Sequence, residues 1–493
     1  MTVQEVLSNS DVVVSDTEVL ALPCTGLAYN SRQVRPGFLF FAIIGAAADG
    51  RTFASAAMAA GAIAVVSDAE RPATLDMPWI RVAHARQALA AAAKIFLGKP
   101  DEQLGVAGIT GTNGKTTCLY LIDSVLRASG AVTTRIGTIG YDVAGTIEPA
   151  ANTTPESLDL FQIFRRTLDA GGKYVTMEVS SHALAQGRVA GVRFHTAVFT
   201  NLTQDHLDFH GTMEAYFEAK QLLFSSAFQP RWAIINADDS YAPRIQPPEG
   251  TRVVRYGLHA TAELRAEQIE TTFSGLTFVA RFGAERHKVR SPLVGEINVY
   301  NILAAIGTGL SYGISWEAIL RGIAKCTGIP GRFERVDAGQ PFLVAVDYAH
   351  TDDALRNTLS VARKLSKGRG RLITLFGCGG DRDRNKRPKM GMAAAELSDI
   401  VVLTSDNPRS EGPLEILNDV LVGLRRFDTP HIVEPDRASA IRKAIGQARP
   451  GDVVILAGKG HETYQILRDR TIAFDDRVVA REALVAAGYG RAA

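Results

Sequence analysis

The sequence predicts an α/β protein of three domains, on two observations. Short apolar runs recur along the 493 residues and alternate with amphipathic helical segments, which is the pattern of mostly parallel sheets covered by helices. The segment Lys99-Pro100-Asp101 and the Pro- and Gly-rich segment 328–331 interrupt this alternation. Since a domain takes roughly 100–200 residues, the predicted domains are 1–102, 103–330 and 331–493.

The individual elements follow from the same alternation, because apolar runs predict buried strands and amphipathic runs predict helices. The predicted strands are 39–44 and 62–66 in the first domain, 106–109, 174–179, 196–200 and 232–236 in the second, and 342–347, 371–376, 400–404 and 453–457 in the third. The predicted helices are 53–60, 85–96, 115–128, 298–310, 353–364, 414–425 and 438–447, and a strand-rich insertion is predicted at 252–292. Ligands bind at the carboxyl ends of parallel strands, so we expect the loops after these strands to face one shared cleft.

A glycine-containing loop in the second domain is the clearest chemical signal. The segment 110–117 reads Thr-Gly-Thr-Asn-Gly-Lys-Thr-Thr and joins the apolar run 106–109 to a helix. Glycines let successive backbone N–H groups approach an anion. In such a loop the lysine, here Lys115, pairs with the β- and γ-phosphates, and the hydroxyl of Thr116 holds Mg²⁺. Although Ile109 stands where the usual motif has its first glycine, the segment favours a nucleoside triphosphate site over a plain packing turn.

Three further side chains of the second domain are candidates for the same site. Glu178 and His206 each stand at or just after the end of a predicted strand. A carboxylate and an imidazole there could hold a second divalent cation near the γ-phosphate, whereas a lone histidine is also typical of a cap or a core. Lys220 lies on a predicted helix between apolar residues, and on the residues alone we interpret it as a solvated helix lysine.

The segment 406–409 of the third domain, Asp-Asn-Pro-Arg, follows a predicted strand. The planar guanidinium of Arg409 suits a carboxylate, and Asp406 and Asn407 can accept hydrogen bonds from an ammonium group. Pro408 stiffens the loop. The segment therefore suits a zwitterionic amino acid, and a surface turn with an Asx cap is the alternative. Near the start of the same domain, the sequence has Arg332, Asp347 and His350. Their cation, carboxylate and imidazole suit a bound nucleotide.

Composition excludes several kinds of partner. The 54 basic and 52 acidic residues give a net charge of +2, which offers no electrostatic case for nucleic acid or an anionic membrane. The four cysteines are far apart and form no Cys-x-x-Cys pair, which argues against a zinc site or a disulfide framework. No signal peptide and no run of about 18 apolar residues is visible. We therefore expect a cytoplasmic protein without nucleic acid or membrane insertion.

The motifs of the three predicted domains together resemble those of the Mur ligases, and the resemblance covers nearly the whole chain. Nine motifs carry it, in family order: 111–117 (GTNGKTT), 152–155 (NTTP), 178–184 (EVSSHAL), 201–208 (NLTQDHLD), 298–301 (NVYN), 331–334 (GRFE), 347–350 (DYAH), 406–409 (DNPR) and 458–462 (GKGHE). The resemblance implies a UDP-substrate-binding N-terminal domain, a central ATP-binding domain with a P-loop-type, mostly parallel sheet, and a Rossmann-like C-terminal domain that binds an amino acid.

The resemblance also implies which residues bind ATP and metal. Lys220 matches the lysine that this family carbamylates with CO₂, and a carbamate is an anion that can bridge to a cation. Lys115, His206 and Lys220 are the implied catalytic residues. The implied Mg²⁺ ligands, for two sites, are Thr116, Glu178, His206 and carbamylated Lys220. The implied ATP site is Gly111, Thr112, Asn113, Gly114, Lys115, Thr116, Thr117, Asn298, Arg332, Asp347 and His350.

Two further sets of residues are implied to bind the other substrates. In this family the Asp-Asn-Pro-Arg motif marks users of meso-diaminopimelate, because its arginine binds a distal carboxylate that lysine lacks. The implied site for a UDP-muramoyl dipeptide is Ser31, Ala47, Ala48, Asp49, Asn152, Thr153, Thr154, Ser180, Gln186 and Arg188. The implied site for meso-diaminopimelate is Arg382, Asp406, Asn407, Pro408, Arg409, Gly458 and Glu462.

The implied activity is formation of an amide bond driven by ATP. Meso-diaminopimelate would be added to UDP-N-acetylmuramoyl-L-alanyl-D-glutamate through an acyl phosphate, with release of ADP and phosphate. This is a step of cytoplasmic peptidoglycan precursor synthesis, and hence of cell-wall biogenesis, cell shape and cell division. We expect a monomer with small-molecule substrates. The alternatives are a lysine-adding ligase of the same family and, from a different class, a P-loop switch or transport ATPase.

Overall fold

The computed structural model describes residues 1–14, 17–45, 48–259, 261–366 and 370–490. The chain forms two compact units, of which unit 1 comprises 1–265, 281–285 and 300–322, and unit 2 comprises 266–280, 286–299 and 323–493. The domain boundaries predicted after residues 102 and 330 stay predictions. Within the described ranges, no helix combines the length and the apolar character needed to cross a bilayer.

Unit 1 begins with a five-stranded sheet in the order β1-β5-β4-β3-β2. All neighbours are parallel except β1 and β5. The strands predicted at 39–44 and 62–66 and the helices predicted at 53–60 and 85–96 are confirmed with small shifts of their ends, and β1, β2 and β5 are additional. The elements are β1 (Val12–Val14), β2 (Gly26–Ala28), β3 (Phe38–Phe41), β4 (Ala64–Ser67), β5 (Trp79–Val82), α1 (Val3–Val6), α2 (Thr17–Leu20), α3 (Ala54–Ala59) and α4 (Ala85–Phe96).

A second, larger sheet follows in unit 1. Its strands are β6 (Gly105–Thr110), β7 (Thr133–Gly137), β8 (Gly140–Val143), β9 (Thr146–Glu148), β10 (Tyr174–Glu178), β11 (Thr196–Phe199), β12 (Trp232–Asn236) and β13 (Arg252–Gly257), and its helices are α5 (Lys115–Ala128), α6 (Ser157–Asp169), α7 (Ser181–Ala185), α8 (Leu207–His210) and α9 (Met213–Gln221). The order is β13-β12-β11-β6-β10-β7-β8-β9. Pairing is parallel from β13 to β7 and antiparallel from β7 to β9. Because β6 lies between β10 and β11, the loops after these three strands meet at one edge of the sheet.

The insertion predicted at 252–292 is confirmed as strand-rich. Leu264 and Arg265, which begin β14 (Leu264–Thr272), pair with β13 in unit 1. The rest of β14 belongs to unit 2, where it neighbours β15 (Gly275–Phe282), which in turn neighbours β16 (Glu285–Ser291). The chain continues through α10 (Ile297–Ser311) and α11 (Trp316–Lys325).

The main sheet of unit 2 has the order β17-β18-β22-β19-β20-β21 and is parallel except for the β17 edge. The strands predicted for the third domain are confirmed as β18, β19, β20 and β22, and its three predicted helices as α12, α14 and α15. The elements are β17 (Glu334–Arg335), β18 (Leu343–Asp347), β19 (Leu372–Phe376), β20 (Ile400–Leu403), β21 (His431–Val433), β22 (Val453–Ala457), the hairpin β23 (Tyr464–Ile466) and β24 (Thr471–Ala473), α12 (Asp352–Ser366), α13 (Lys386–Leu397), α14 (Pro413–Leu424), α15 (Arg437–Gly446) and α16 (Asp476–Ala486).

Both faces of this sheet are buried, which explains its uninterrupted apolar strands. Successive side chains of β22 point to opposite faces. Val453 and Ile455 join a core with residues of α12, α13 and α14. Val454 and Leu456 join a separate core with residues of α15 and α16.

Candidate functional site

The glycine loop of unit 1 has the backbone geometry that its sequence predicts. Gly111 has φ 146° and Gly114 has φ 86°. Residues other than glycine rarely adopt these backbone angles. A Cβ at Gly111 would lie 1.9 Å from Thr200 Oγ1, and one at Gly114 would lie 2.6 Å from Asn301 Oδ1. The loop therefore needs glycine at both positions, because its backbone packs directly against neighbouring polar groups.

Neighbouring strand ends hold the loop in place. Asn201, just after β11, accepts a hydrogen bond from Asn113 N at 2.9 Å and donates from Nδ2 to Asn113 O at 3.1 Å. Thr200 Oγ1 donates to the same carbonyl at 2.7 Å. Lys115 folds back over the loop, and its Nζ donates to the carbonyls of Gly111 and Thr112 at 2.9 Å each. Thr200 and Asn201 were not assigned from the sequence, although their place after a strand beside β6 was a usable signal.

A buried carboxylate lies beside the first turn of α5. Glu178, at the end of β10, is 1% exposed. Its Oε1 accepts hydrogen bonds from Thr116 Oγ1 and from Thr138 N, both at 3.0 Å, and its Oε2 accepts from Thr138 Oγ1 at 3.2 Å. The structure thus brings the predicted pair Thr116 and Glu178 together and adds Thr138, which sequence reasoning missed.

His206 lies in a cluster of aromatic rings beside this region. Its backbone is left-handed, with φ 51°, and its side chain is 46% exposed. Its ring centroid is 4.8 Å from that of His182, whose ring also packs on Phe209 and His210. Burial, with the nearby His206 and His210, lowers the pKa of His182 to about 4. Across the described residues, no group of three or more His, Cys, Asp or Glu side chains is arranged to hold a metal ion.

Lys220 is not a solvated helix lysine, so that interpretation from the residues alone is wrong. The side chain is 2% exposed, because this face of α9 packs onto the glycine loop. Its Nζ donates to Gly111 O at 2.8 Å and lies 4.4 Å from the centroid of the Tyr216 ring. Burial first, and the positive charge of Lys115 second, hold the pKa of the Lys220 amine well below its ordinary value.

A cavity of about 390 Å³ opens beside the first sheet of unit 1, and its lining includes Ser31 and Ala48. Asp49, adjacent in sequence, caps the 3₁₀ turn that follows it and accepts a hydrogen bond from Arg51 Nε at 2.9 Å. Ala47, also assigned to this site, lies outside the described residues. Arg86 and Glu156 line the same cavity and were missed by the sequence.

Glu156 links that cavity to the residues assigned to the dipeptide. Its carboxylate lies 3.3 Å from Arg86 Nε and 3.4 Å from Arg188 Nε. Burial raises the pKa of Glu156, and the two guanidinium groups oppose that effect. Arg86 Nη1 also donates to Gln186 O at 3.4 Å. Arg86 also lines the cavity, so its guanidinium is placed to meet an anionic substrate.

The other residues assigned to the dipeptide lie in the loops that follow β9 and β10. Thr154 Oγ1 donates to Glu178 O at 2.9 Å and accepts from Ser180 N at 3.1 Å. Ser180 caps α7 by accepting a hydrogen bond from Ala183 N. Thr153 Oγ1 lies 3.0 Å from Thr138 Oγ1, and Asn152 O accepts from Tyr141 OH at 2.5 Å. The structure therefore brings Thr153, Thr154 and Ser180 next to Glu178.

In unit 2, Asp347 ends β18 and organises the start of the predicted C-terminal domain. It accepts hydrogen bonds from Phe333 N at 2.8 Å and from Thr358 Oγ1 at 2.9 Å. Burial raises the pKa of its carboxyl group, while Arg332 opposes that shift. The Arg332 guanidinium lies 4.9 Å from the centroid of the Tyr348 ring. His350 Nδ1 lies 2.8 Å from Tyr348 O, and Asn298 Nδ2 donates to Val294 O at 2.7 Å.

The segment 406–409 is tied to the loop after β22. Asn407 Nδ2 donates to Glu462 Oε2 at 2.9 Å, and a Cβ at Gly458 would lie 2.8 Å from Asp406 Oδ2. Arg409 has φ 51°, and its Nη1 donates to Gly380 O at 2.8 Å. Arg409 Nη1 also donates to Asn407 O at 3.4 Å, so Asp406, Asn407, Arg409, Gly458 and Glu462 form one cluster in unit 2. Arg382 has an exposed side chain that donates to Asp381 O at 3.0 Å.

Models of a known family match most of the chain. Residues 23–102 match "Mur ligase family, catalytic domain", 109–309 match "Mur ligase middle domain", and 331–460 match "Mur ligase, glutamate ligase domain". The chain is 62% identical, over 96% of each chain, to the UDP-N-acetylmuramoyl-L-alanyl-D-glutamate–2,6-diaminopimelate ligase of Solibacter usitatus. It is 47% identical to the protein of the same name from Geobacillus thermodenitrificans, over 93% of this chain and 94% of that one.

Solved structures agree with these matches. A structure of a UDP-N-acetylmuramoyl-L-alanyl-D-glutamate–2,6-diaminopimelate ligase is 33% identical, covers 99% of both chains and superposes with a TM-score of 0.73. A MurF ligase from Thermotoga maritima, solved with ADP, is 18% identical, covers 93% of this chain and 96% of that one, and has a TM-score of 0.61, which shows a shared fold. With family models over most of its length and a relative this similar over almost all of it, the chain belongs to the Mur ligase family.

Proposed function

We propose that this protein uses ATP to join meso-diaminopimelate to the D-glutamyl carboxylate of UDP-N-acetylmuramoyl-L-alanyl-D-glutamate. The observation that carries the proposal is the cluster of Asp406, Asn407, Arg409 and Glu462, in a chain 62% identical over 96% of its length to a ligase named for 2,6-diaminopimelate. Carboxylates and an amide in this cluster suit an ammonium group, and a guanidinium suits a carboxylate. An amino acid with a second carboxylate at its far end matches both the groups that suit an ammonium and the guanidinium of Arg409.

The glycine loop supports ATP as the nucleotide. Its backbone N–H groups and the N-terminus of α5 suit the phosphates, and Lys115 can leave the carbonyls of Gly111 and Thr112 for the transferred group. ATP supplies the phosphoryl group that activates the substrate carboxylate as an acyl phosphate. We assign nucleotide binding to Gly111, Thr112, Asn113, Gly114, Lys115, Thr116 and Thr117 in unit 1 and to Asn298, Arg332, Asp347 and His350 in unit 2.

The residues around Glu178 fit Mg²⁺. Thr116 Oγ1 and Glu178 Oε1 are both buried and 3.0 Å apart, and Mg²⁺ prefers such oxygen donors. Mg²⁺ bound there would neutralise charge on the transferring phosphoryl group. We assign Thr116, Glu178, His206 and the carbamate of Lys220 as ligands of two Mg²⁺ sites.

The environment of Lys220 suits carbamylation. Only a neutral amine can add to CO₂, and burial of Lys220 favours the neutral form. The amine sits within hydrogen-bonding distance of the glycine loop. A carbamate at this position would place a negative charge beside the proposed metal sites, which is the sign of charge that Mg²⁺ needs.

The cavity in unit 1 suits the UDP end of the substrate, because the guanidinium of Arg86 lines it. We assign Ser31, Ala47, Ala48 and Asp49 to the UDP end, and Asn152, Thr153, Thr154, Ser180, Gln186 and Arg188 to the muramoyl dipeptide.

In the reaction, a carboxylate oxygen of the D-glutamyl group attacks the γ-phosphorus and ADP leaves. The amine of diaminopimelate then attacks the acyl carbon, losing a proton as phosphate leaves.

The amino-acid site comprises Arg382, Asp406, Asn407, Pro408, Arg409, Gly458 and Glu462. Arg409 would bind the distal carboxylate, and Asp406 and Glu462 would hold ammonium groups.

All four cysteines are buried free thiols, which supports the reducing cytoplasm as the place of the reaction. We expect a monomer.

The experiment that tests this proposal is mass analysis of the products formed from ATP, Mg²⁺, the UDP-muramoyl dipeptide and an equimolar mixture of diaminopimelate and lysine. We expect the diaminopimelate tripeptide to dominate, with one phosphate released per product. Equal use of lysine would overturn the substrate assignment. Release of phosphate that ignores the dipeptide and both amino acids would support an ATPase of a different class instead.

A further inference from the structure

Lys459, between Gly458 and Gly460 after β22, is a fully buried lysine that sequence reasoning did not assign. Its side chain is 0% exposed, and its Nζ lies 2.9 Å from Glu462 Oε2 and 3.2 Å from Asn407 Oδ1. The same nitrogen lies 5.6 Å from the centroid of the Tyr464 ring. A buried ammonium is costly unless it is paired and hydrogen-bonded. The contacts with Glu462 and Asn407 meet this requirement and hold the Lys459 side chain in one position.

These contacts separate Lys459 from the substrate-binding lysines of glycine loops. A lysine flanked by glycines is also found in phosphate-binding loops. The Lys459 side chain, however, has no exposed surface and so cannot present its charge to a ligand. Both of its partners, Asn407 and Glu462, are residues that we assign to the amino acid. Lys459 therefore acts on the incoming amino acid through them.

Lys459 also fixes which way the Asn407 amide faces. Asn407 Oδ1 accepts hydrogen bonds from Lys459 Nζ and from Ile466 N, the latter at 2.9 Å. Since both neighbours are donors, the oxygen has to face them, and Nδ2 has to face Glu462. The loop is further held by Gln465 Nε2, which donates to Asp406 O at 2.6 Å. One ammonium thus orients an amide and a carboxylate of the same pocket.

We propose that Lys459 is a positioning residue that sets both the geometry and the charge of the diaminopimelate pocket. The inference rests on the proposed function. Asp406 and Glu462 bring two negative charges to the pocket, and Lys459 neutralises one of them. Diaminopimelate, with two ammonium and two carboxylate groups, has no net charge, whereas lysine carries one positive charge. A pocket without the Lys459 ammonium gains one negative charge, which favours lysine over diaminopimelate.

The test is steady-state kinetics of Lys459→Met and Lys459→Gln in the full chain with each substrate varied in turn. Both variants remove the charge, and glutamine keeps a neutral donor for Asn407, so an effect common to both variants comes from loss of the charge. We expect the KM for diaminopimelate to rise at least about tenfold in both variants, since a charged hydrogen bond is lost. The KM values for ATP and the UDP-muramoyl dipeptide should stay within about twofold. The ratio of kcat/KM for diaminopimelate to that for lysine should fall about tenfold in both variants.

The matched control is Lys443→Met, because Lys443 forms an exposed ion pair with Glu434 in the same unit. It should leave all three KM values unchanged. An unchanged diaminopimelate KM in folded Lys459 variants, or equal rises for all three substrates, would overturn the proposal. So would failure of both Lys459 variants to fold while the control folds, because Lys459 would then serve the fold alone. Absence of ligation by the wild-type protein would instead refute the proposed function.

Discussion

At the scale of single residues, burial decides what a side chain can do in this protein. Lys220 and Lys443 both lie on helices, but Lys220 is 2% exposed beside a glycine loop, whereas Lys443 forms a surface pair with Glu434. Burial lowers the pKa of Lys220, which makes its amine available for reaction rather than for a salt bridge. The sequence could not distinguish these two cases, because the partner of Lys220 lies 109 residues away at Gly111.

The first prediction at this scale concerns Lys220→Arg. Arginine stays protonated and cannot form a carbamate, so we expect activity to fall roughly 100-fold or more, as when a charge-stabilising group is removed. NMR of protein in isotope-labelled bicarbonate should show a carbamate carbon in the wild type and none in the variant. Lys173→Arg, at an exposed lysine of unit 1, is the control and should retain activity. A fully active Lys220→Arg would refute the carbamate.

A second prediction at this scale concerns acid stability and Glu411. Hydrogen bonds from the buried Arg387 lower the pKa of Glu411 from its ordinary 4.5 to about 2. Because the folded state holds the charged form more tightly, this contribution is present above pH 4.5 and is lost as the pH falls towards 2. Glu411→Gln should therefore be less stable than the wild type at pH 6, with a gap that shrinks between pH 4.5 and 3. Urea unfolding at each pH measures it.

The control for Glu411 is Glu415→Gln, which removes an exposed carboxylate on α14. Its difference from the wild type should stay small and should not change over the same pH range. A gap for Glu411→Gln that stays constant down to pH 3 would mean that its ion pair with Arg387 does not contribute in the predicted way.

At the scale of elements, the sequence predicts best what local pattern determines. The strand 453–457 and the helix 85–96 were predicted with the bounds that the structure gives, because one is apolar on both faces and the other is amphipathic. The short strands β2, β5 and β7–β9 were missed, since three to five residues of mixed character carry little periodic signal. Among the site residues, the glycine loop is a continuous segment and could be recognised from the sequence. Thr138 could not, because its partner Glu178 lies 40 residues away in the chain.

The prediction at this scale compares two glycines at the ends of α5. Gly114 and Gly130 have the same φ of 86°, but a Cβ at Gly114 would lie 2.6 Å from Asn301 Oδ1, whereas none of the described atoms lies within 4 Å at Gly130. Alanine should cost about 1–2 kcal/mol of stability at either position through its backbone conformation. We expect only Gly114→Ala to weaken ADP binding in calorimetry, by about tenfold. Equal affinities for both variants would contradict the proposed phosphate loop.

At the scale of the whole molecule, the chain has the three-domain α/β architecture of the Mur ligases with mostly parallel sheets. Its internal contacts nevertheless form two compact units, each with its own buried clusters. The sequence predicted the alternation of strands and helices that builds each sheet. It could not predict this grouping, which depends on contacts between elements far apart in the chain.

Separate cores predict that the two units unfold in separate transitions. The three tryptophans, Trp79, Trp232 and Trp316, all belong to unit 1, so tryptophan fluorescence follows that unit while calorimetry follows both. Phe161 in unit 1 and Phe376 in unit 2 are fully buried, and replacing either by alanine should cost about 3–5 kcal/mol. Phe161→Ala should lower the fluorescence midpoint, whereas Phe376→Ala should lower a calorimetric transition and leave the fluorescence midpoint in place. If both variants shift both signals equally, the units unfold as one cooperative body, and the separate cores do not translate into separate stabilities.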